Sequence, residues 1–354
     1  MISDISETEE EGFDEAEKST AGGQGVWQYL IERSSADESR KHIAAVIDCT
    51  REYTYEEMFG EWYRYARVFS ALNITEKDHS RVAIAGVIAA EPLFAFYALN
   101  MTGAEVSMLS YPDFMKSGHW KTMIEKEKIT DLILSDILVM PDLWREIKKE
   151  KERLGLRNVI LVHSRMGGPC VGPAELLFDE FNYHALKRMP GTVFMDELLR
   201  KYADAPIIFG SGAEDQIALI THTSGTTNGT RKPLPYTNLA VNAVARNAQS
   251  GFASVSPDAC GHLRVATSFD FNSFLCMAGL INSQLANGST IVLTFFGLMH
   301  PKFVRAIEYY QLNVVFTAGF IMDQWMKRAD LEKMDFSSLK VFACGGSYLP
   351  PAKL

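Results

Sequence analysis

An α/β fold with largely parallel sheets is what this sequence predicts, on three observations. From Val26 onward, apolar runs of strand length alternate with amphipathic stretches of helix length, the pattern of βαβ construction. The helical stretches carry start and stop chemistry where their periodicity begins and ends. A chain of 354 residues with 47% hydrophobic content can also bury a large core, enough for about two domains or one large domain with subdomains.

Residues 1–22 are rich in carboxylates and poor in large apolar groups. They cannot offset the entropy of ordering and are expected to form a disordered acidic tail without a catalytic role, so the folded unit spans 23–354. The first clear helix follows Thr54, which makes a Thr-x-x-Glu capping box with Glu57; Met58, Phe59, Trp62, Ala66 and Phe69 then recur at helical spacing as a core stripe. A short apolar run over 82–87 predicts a strand, Glu91-Pro92 opens a helix that ends near Gly103, and the run 106–109 completes a βαβ unit. A strand over 132–134, a charged amphipathic helix around 141–154 and a strand over 158–162 come next. A loop rich in Gly and Pro covers 166–173, and a helix lies around 194–202. Further on, strands are expected at 264–267, 290–294, 313–317 and 340–343. Helices near 238–247, 274–286, 301–311 and 320–327 separate them, and no internal repeat is evident.

The formal net charge of -9 argues against a surface that holds nucleic acid, which needs clustered Lys and Arg. Cys49, Cys170, Cys260, Cys276 and Cys344 stand singly, without CxxC spacing or the density of a disulfide scaffold, which fits a reducing intracellular compartment. The acidic N-terminus lacks the order of a signal peptide. No apolar run reaches the roughly 18 to 20 residues that a transmembrane helix requires. A soluble, cytoplasmic protein is expected; the terminal Ala352-Lys353-Leu354 resembles a peroxisomal tripeptide and makes the peroxisome the alternative if Leu354 is a true C-terminus.

The chemistry concentrates in residues 221–232, THTSGTTNGTRK, just after the apolar run 217–220. The hydroxyls of Thr223, Ser224, Thr226 and Thr227, the backbone freedom of Gly225 and Gly229, and the basic pair Arg231-Lys232 suit a loop that wraps phosphates. Ser, Thr and Gly are also the ordinary residues of surface loops, and composition alone leaves both readings open. A P-loop is disfavoured because Gly225 and Gly229 are too close and Lys232 precedes Pro233. A serine-hydrolase elbow is excluded because no G-x-S-x-G occurs.

In its full context, DQIALITHTSGTTNGTRKPLPYTNLAVN, the loop resembles the signature of the adenylate-forming (AMP-binding) superfamily of acyl-CoA synthetases, 4-coumarate-CoA ligases and luciferases. The segment around Thr54-Tyr55, the βαβ unit with Gly103-Ala104, the run LNVVFTAGFIMDQWM, and FSSLKVFACGGSYLPPAKL match the family in order and approximate spacing from about residue 26 to the end. The resemblance implies the large N-terminal α/β domain of an adenylate-forming enzyme, with alternating βαβ units in layered sheets. It implies ATP-dependent activation of a carboxylic acid to acyl-AMP, then transfer to CoA, with ATP, Mg²⁺ and CoA as cofactors. Carried over by position, Thr223, Ser224, Gly225, Thr226, Thr227 and Gly229 bind the β- and γ-phosphates, and Lys232 is the catalytic candidate. Gly345, Gly346 and Ser347 lie beside adenine and acyl group. Phe269, Asp270, Thr317 and Gly319 line the acid pocket, and no metal ligand is assigned.

Three departures qualify this. The loop is one residue longer than the family's, with Pro233 where glycine is expected. Asp270 falls near a position where many members carry histidine; it either reads a polar or cationic group on the substrate or is a solvated loop residue. The sequence stops at Leu354, soon after the Gly-Gly turn, before the family's Tyr-Gly-x-Thr-Glu motif, ribose-binding aspartate and lysine-bearing C-terminal lid. The expectation is therefore an incomplete, lidless domain, nearly inactive by itself. A truncated paralogue that binds nucleotide or acyl groups without turnover is the alternative.

Overall fold

The computed structural model describes residues 24–110, 114, 119–169, 171–223, 232–255, 262–294, 303–328 and 330–345. The expected acidic tail lies outside them. The strands are β1 Ala44–Asp48, β2 Arg51–Thr54, β3 Arg81–Ala85, β4 Glu105–Leu109, β5 Asp131–Ser135, β6 Asn158–Val162, β7 Ile217–His222, β8 Pro233–Thr237, β9 Arg264–Thr267, β10 Thr290–Leu293, β11 Val314–Thr317 and β12 Val341–Cys344. The α-helices are α1 Val26–Ser35, α2 Tyr55–Ala71, α3 Ala90–Thr102, α4 His119–Glu127, α5 Pro141–Glu150, α6 Pro173–Lys187, α7 Met195–Lys201, α8 Asn238–Val255, α9 Ser283–Ala286, α10 Val304–Tyr310 and α11 Gly319–Met326; a π-helical stretch, Leu275–Asn282, runs into α9.

Among the described residues these strands form two six-stranded sheets, ordered β12-β11-β9-β10-β1-β2 and β6-β5-β3-β4-β7-β8. Every pairing is parallel except β1 with β2 and β7 with β8, so each sheet ends in one antiparallel edge strand. Strand alternation sorts side chains between layers. Val46, Ile291, Val82, Ile84, Val106 and Met108 share one large core with α2 and α3. On the outer face of the second sheet, Ala83, Ala85, Leu132 and Leu134 pack with Trp120, Trp144 and Ile147. Ile47, Ala266, Val292 and Val315 of the first sheet pack with Phe303, Ile307 and Trp325. The order is thus helix, sheet, helix, sheet, helix, the layering that the βαβ pattern implies.

Local chemistry explains the central layer. Thr54 caps α2 by accepting from Glu57 N, while Glu57 Oε2 accepts from Thr54 N at 2.8 Å. The buried stripe then runs through Met58, Trp62, Ala66 and Phe69, and Trp62 stacks on Tyr97 of α3 with ring centroids 4.2 Å apart. In α3 every residue but Glu91 is buried, and it ends on Gly103 in the left-handed region at φ 73°, where a side chain would be strained.

Several features differ from the sequence expectation, among them helices α1 and α4 over 26–35 and 119–127, where no element was expected. The strand expected over 82–87 stops at Ala85. The strand β7 extends through Thr221 and His222, so the loop begins only at Thr223. An antiparallel strand, β8, follows despite Pro233 and Pro235; lacking N–H donors, prolines are tolerated at a sheet edge. Lastly, α6 occupies 173–187, where no element was expected.

The sheets meet at the carboxyl end of β1. There Asp48 Oδ2 accepts from Ala90 N, the first amide of α3, at 3.1 Å and is paired with Arg51, whose Nη1 lies 2.6 Å from Glu91 Oε1. Burial pushes the carboxyls of Asp48 and Glu91 above the usual range, opposed by the shared guanidinium. Replacing Arg51 with Met should destabilise the fold by about 3–5 kcal/mol at neutral pH, measured by urea unfolding, because it strands two buried carboxylates. Both carboxyls have raised folded-state pKa values, so the fold favours their protonated forms and loses stability as pH rises through them. The deficit of Arg51→Met should therefore shrink as pH falls toward about 4, the ordinary carboxylate range.

Candidate functional site

Parallel strands present their carboxyl ends together, and in open α/β sheets ligands bind there. In this chain the carboxyl edges of both sheets converge. Cys49, just past β1, has a positive φ of 59°. Its carbonyl accepts from Tyr310 Oη at 2.8 Å, and its Sγ lies 3.7 Å from Arg165 O in the segment after β6. Gly168 in that segment has φ 80°, and a Cβ there would fall 2.5 Å from Tyr310 Oη, so only glycine allows the approach.

On the second sheet, β7 and β8 form a hairpin whose loop is pinned at its base. Thr223 N donates to Lys232 O at 3.0 Å, and Lys232 N donates to Thr223 Oγ1 at 3.0 Å. The structure thus brings Thr223 and Lys232 together, with Lys232 exposed. Ser224, Gly225, Thr226, Thr227, Gly229 and Arg231 lie outside the described residues. Beneath the neck, the buried ring of His222 sets Nδ1 3.2 Å from Met108 O and Nε2 2.7 Å from Glu127 Oε1, and Ser107 Oγ donates to Glu127 Oε2 at 2.8 Å. This polar network ties the hairpin to β4 and α4. Sequence reasoning missed it; its one local signal is a histidine ending an otherwise apolar strand.

On the first sheet, the predicted pocket residues cluster at the carboxyl ends of β9 and β11. Ser268 N donates to Phe316 O and Gly345 N donates to Thr317 O, each at 3.0 Å. Phe269 is half-buried between the central and outer cores. Gly319 is buried at the start of α11, whereas Asp270 is exposed. A Cβ on Gly345 would meet nothing within 4 Å among the described residues, so none of them closes off the strand end. Gly346 and Ser347 fall outside the described residues.

Three hydroxyls mark this edge. Ser268 Oγ, Thr294 Oγ1 and Thr317 Oγ1, at the ends of the adjacent strands β9, β10 and β11, are buried without a hydrogen-bond partner among the described residues. Buried polar atoms rarely stay unpaired unless something else satisfies them. The two halves of the site are physically joined: Tyr236 of β8 stacks on Phe274, four residues after Asp270, with centroids 3.8 Å apart and planes 18° from parallel.

A family model described as AMP-binding enzyme matches residues 32–354. No curated protein matches the sequence. Among solved structures, an anthranilate CoA ligase in complex with anthranoyl-AMP superposes with a TM-score of 0.71 at 14% identity, covering 93% of this chain and 55% of that one. A long-chain-fatty-acid-CoA ligase from Archaeoglobus fulgidus gives 0.67 at 16% identity, covering 94% and 61%. A red-emitting luciferase from Phrixothrix hirtus gives 0.67 at 15% identity, covering 92% and 57%. The chain therefore spans little more than half the length of these proteins, and at such identities the likeness establishes the fold. No helix of the described residues is long and apolar enough to cross a membrane.

Hydroxyls unpaired among the described residues carry a stability cost that an apolar isostere removes. Thr317→Val should leave thermal unfolding unchanged or raise the unfolding free energy by up to about 1 kcal/mol; a loss of stability would show that the hydroxyl is already satisfied.

Proposed function

The chain belongs to the AMP-binding enzyme family, and from that premise we propose that it binds ATP and a carboxylic acid between the converging sheet edges. The acid carboxylate attacks the α-phosphorus, forming acyl-AMP and releasing pyrophosphate. A thiol, CoA in the acid-CoA ligase reading, then displaces AMP to give a thioester. The observation that carries this reading is the pairing of a pinned hydroxyl-rich loop on one sheet with unpaired hydroxyls on the other, joined through Tyr236 and Phe274.

In this reading, Thr223 to Thr227 and Gly229 surround the β- and γ-phosphates, and Lys232 neutralises charge at the loop base. Mg²⁺ accompanies the triphosphate. The backbone of Gly345, Gly346 and Ser347 borders the adenine, while Phe269, Thr317 and Gly319 form the wall of the acid pocket. Asp270, being exposed, fits a solvated position at the pocket mouth better than a contact with an apolar chain. Hydrogen bonds to a charged phosphate are each worth about 1.5–3 kcal/mol, so the loop hydroxyls supply much of the affinity.

One observation favours the second reading, a nucleotide- or acyl-binding protein without turnover: the loop is a residue longer than the family's and Pro233 replaces a glycine, which changes how far Lys232 reaches.

Two measurements separate these outcomes. In calorimetric titration with MgATP, Thr226→Ala and Thr227→Ala should each weaken binding by about tenfold or more, the fold-change of one lost charge-assisted hydrogen bond; unchanged affinity would remove the loop from the site. Acid-dependent exchange of labelled pyrophosphate into ATP, measured with the full-length product of the transcript because the lidless domain is expected to be nearly inactive by itself, should proceed with at least one of a panel of fatty and aromatic acids. Exchange with none of them, while ATP still binds, would overturn the ligase reading in favour of the second.

A further inference from the structure

The helix α6 is built inside out. Leu177 is 72% exposed and Phe181 74%, while the residues it buries are Asp179, Asn182 and Leu186. Turning large apolar groups to water and a carboxylate inward costs stability twice over, so the inward polar groups need partners. Asn182 has them: its Nδ2 donates to Asp136 O at 2.9 Å. Asp179 has half of what it needs. Its Oδ2 accepts from Met166 N at 3.0 Å, but its Oδ1 is buried without a partner among the described residues, on a residue only 6% exposed.

Two further side chains converge on it from the carboxyl ends of adjacent parallel strands. Asp136 follows β5 and His163 follows β6; His163 Nδ1 lies 2.6 Å from Asp136 Oδ2, with the side chains 10% and 1% exposed. Tyr183 of α6 stacks on the His163 ring at 3.9 Å and fixes its plane. One ligand atom from each of Asp136, His163 and Asp179 lies within 4.8 Å of the other two. Burial pushes both aspartates above the usual carboxylate range: two carboxyl groups face a single imidazole away from water.

We propose that Asp136, His163 and Asp179 form a divalent-metal site of the zinc class, which fastens α6 to the carboxyl end of the second sheet. Two carboxylates and an imidazole are a donor set for Zn²⁺, leaving a fourth position of the tetrahedron for water. A dication balances both aspartates, which an imidazolium does not. An ordinary buried ion pair explains the contact between Asp136 and His163, but it leaves Asp179 Oδ1 unpaired and the inverted face of α6 without cause. Binding requires a neutral imidazole and ionised carboxylates, so Zn²⁺ takes the place of the hydrogen bond between His163 and Asp136. The site has a structural part to play. Met166, bonded to Asp179, belongs to the same segment as Arg165 and Gly168, which contact the turn after β1.

The test is equilibrium dialysis of the chelator-treated protein against Zn²⁺, with bound metal counted by mass spectrometry and thermal unfolding followed in parallel. The wild type should bind one equivalent and unfold at higher temperature when loaded. Asp179→Asn keeps an acceptor for Met166 N, and His163→Gln preserves much of the volume; each should weaken binding at least tenfold. His184→Gln, which removes the exposed partner of Glu180, should leave the stoichiometry unchanged and so excludes surface binding. Absence of binding by the folded wild type, or undiminished affinity in folded Asp179→Asn and His163→Gln, would overturn the assignment. If both variants fail to fold, the wild-type stoichiometry and its retention in His184→Gln decide the matter.

Discussion

Because α3 is buried on every residue but Glu91, it has no face to give to water, and both sheets must pack on it at once. This constraint organises the molecule. A helix apolar all round is stable only inside a layered core, which accounts for strands buried on both faces and the outer helices that cover them. It also fixes where the sheets meet. The first turn of α3 presents unpaired amides, and Asp48, from the opposite sheet, accepts the one at Ala90. With Arg51 drawn in to balance Asp48 and Glu91, the carboxyl end of β1 is held against the start of α3.

The candidate site follows from that convergence. Strand ends that would otherwise face solvent are set opposite one another, and each brings a different chemistry. The hairpin edge offers Thr223 and Lys232 above a buried His–Glu–Ser network. Among the described residues, the other edge offers half-buried Phe269, a strand end that none of them closes off at Gly345, and hydroxyls without partners. In the function proposed above, the first side takes anionic oxygens and the second a mostly apolar group with a polar end.

Much of the fold was legible in the sequence because its signals were local. The strands at 158–162 and 264–267 appear at the expected limits, and Thr54 with Glu57 announced α2 through a hydrogen-bond pattern three residues long. What escaped notice was decided by distant partners. In α6 the apolar residues face outward, so their periodicity points away from a core. In β8 two prolines argue against a strand, and only its edge position reconciles them. The same division holds in the site: the run of hydroxyls and glycines can be read directly, whereas Glu127 lies 95 residues from His222. That the hydroxyls of Ser268, Thr294 and Thr317 lack partners among the described residues cannot be read from the sequence; it emerges only on packing.

The stack of Tyr236 on Phe274 has a thermodynamic corollary. It makes the hairpin beside the proposed phosphate loop and the segment leading from the proposed acid pocket share one aromatic contact, so displacement of either is felt by the other. Linkage then demands reciprocity: if occupancy of the loop alters the affinity of the pocket by some factor, occupancy of the pocket alters the loop by the same factor. A single pair of rings would thereby set a common scale for the two proposed recognition events, which the sequence keeps almost forty residues apart.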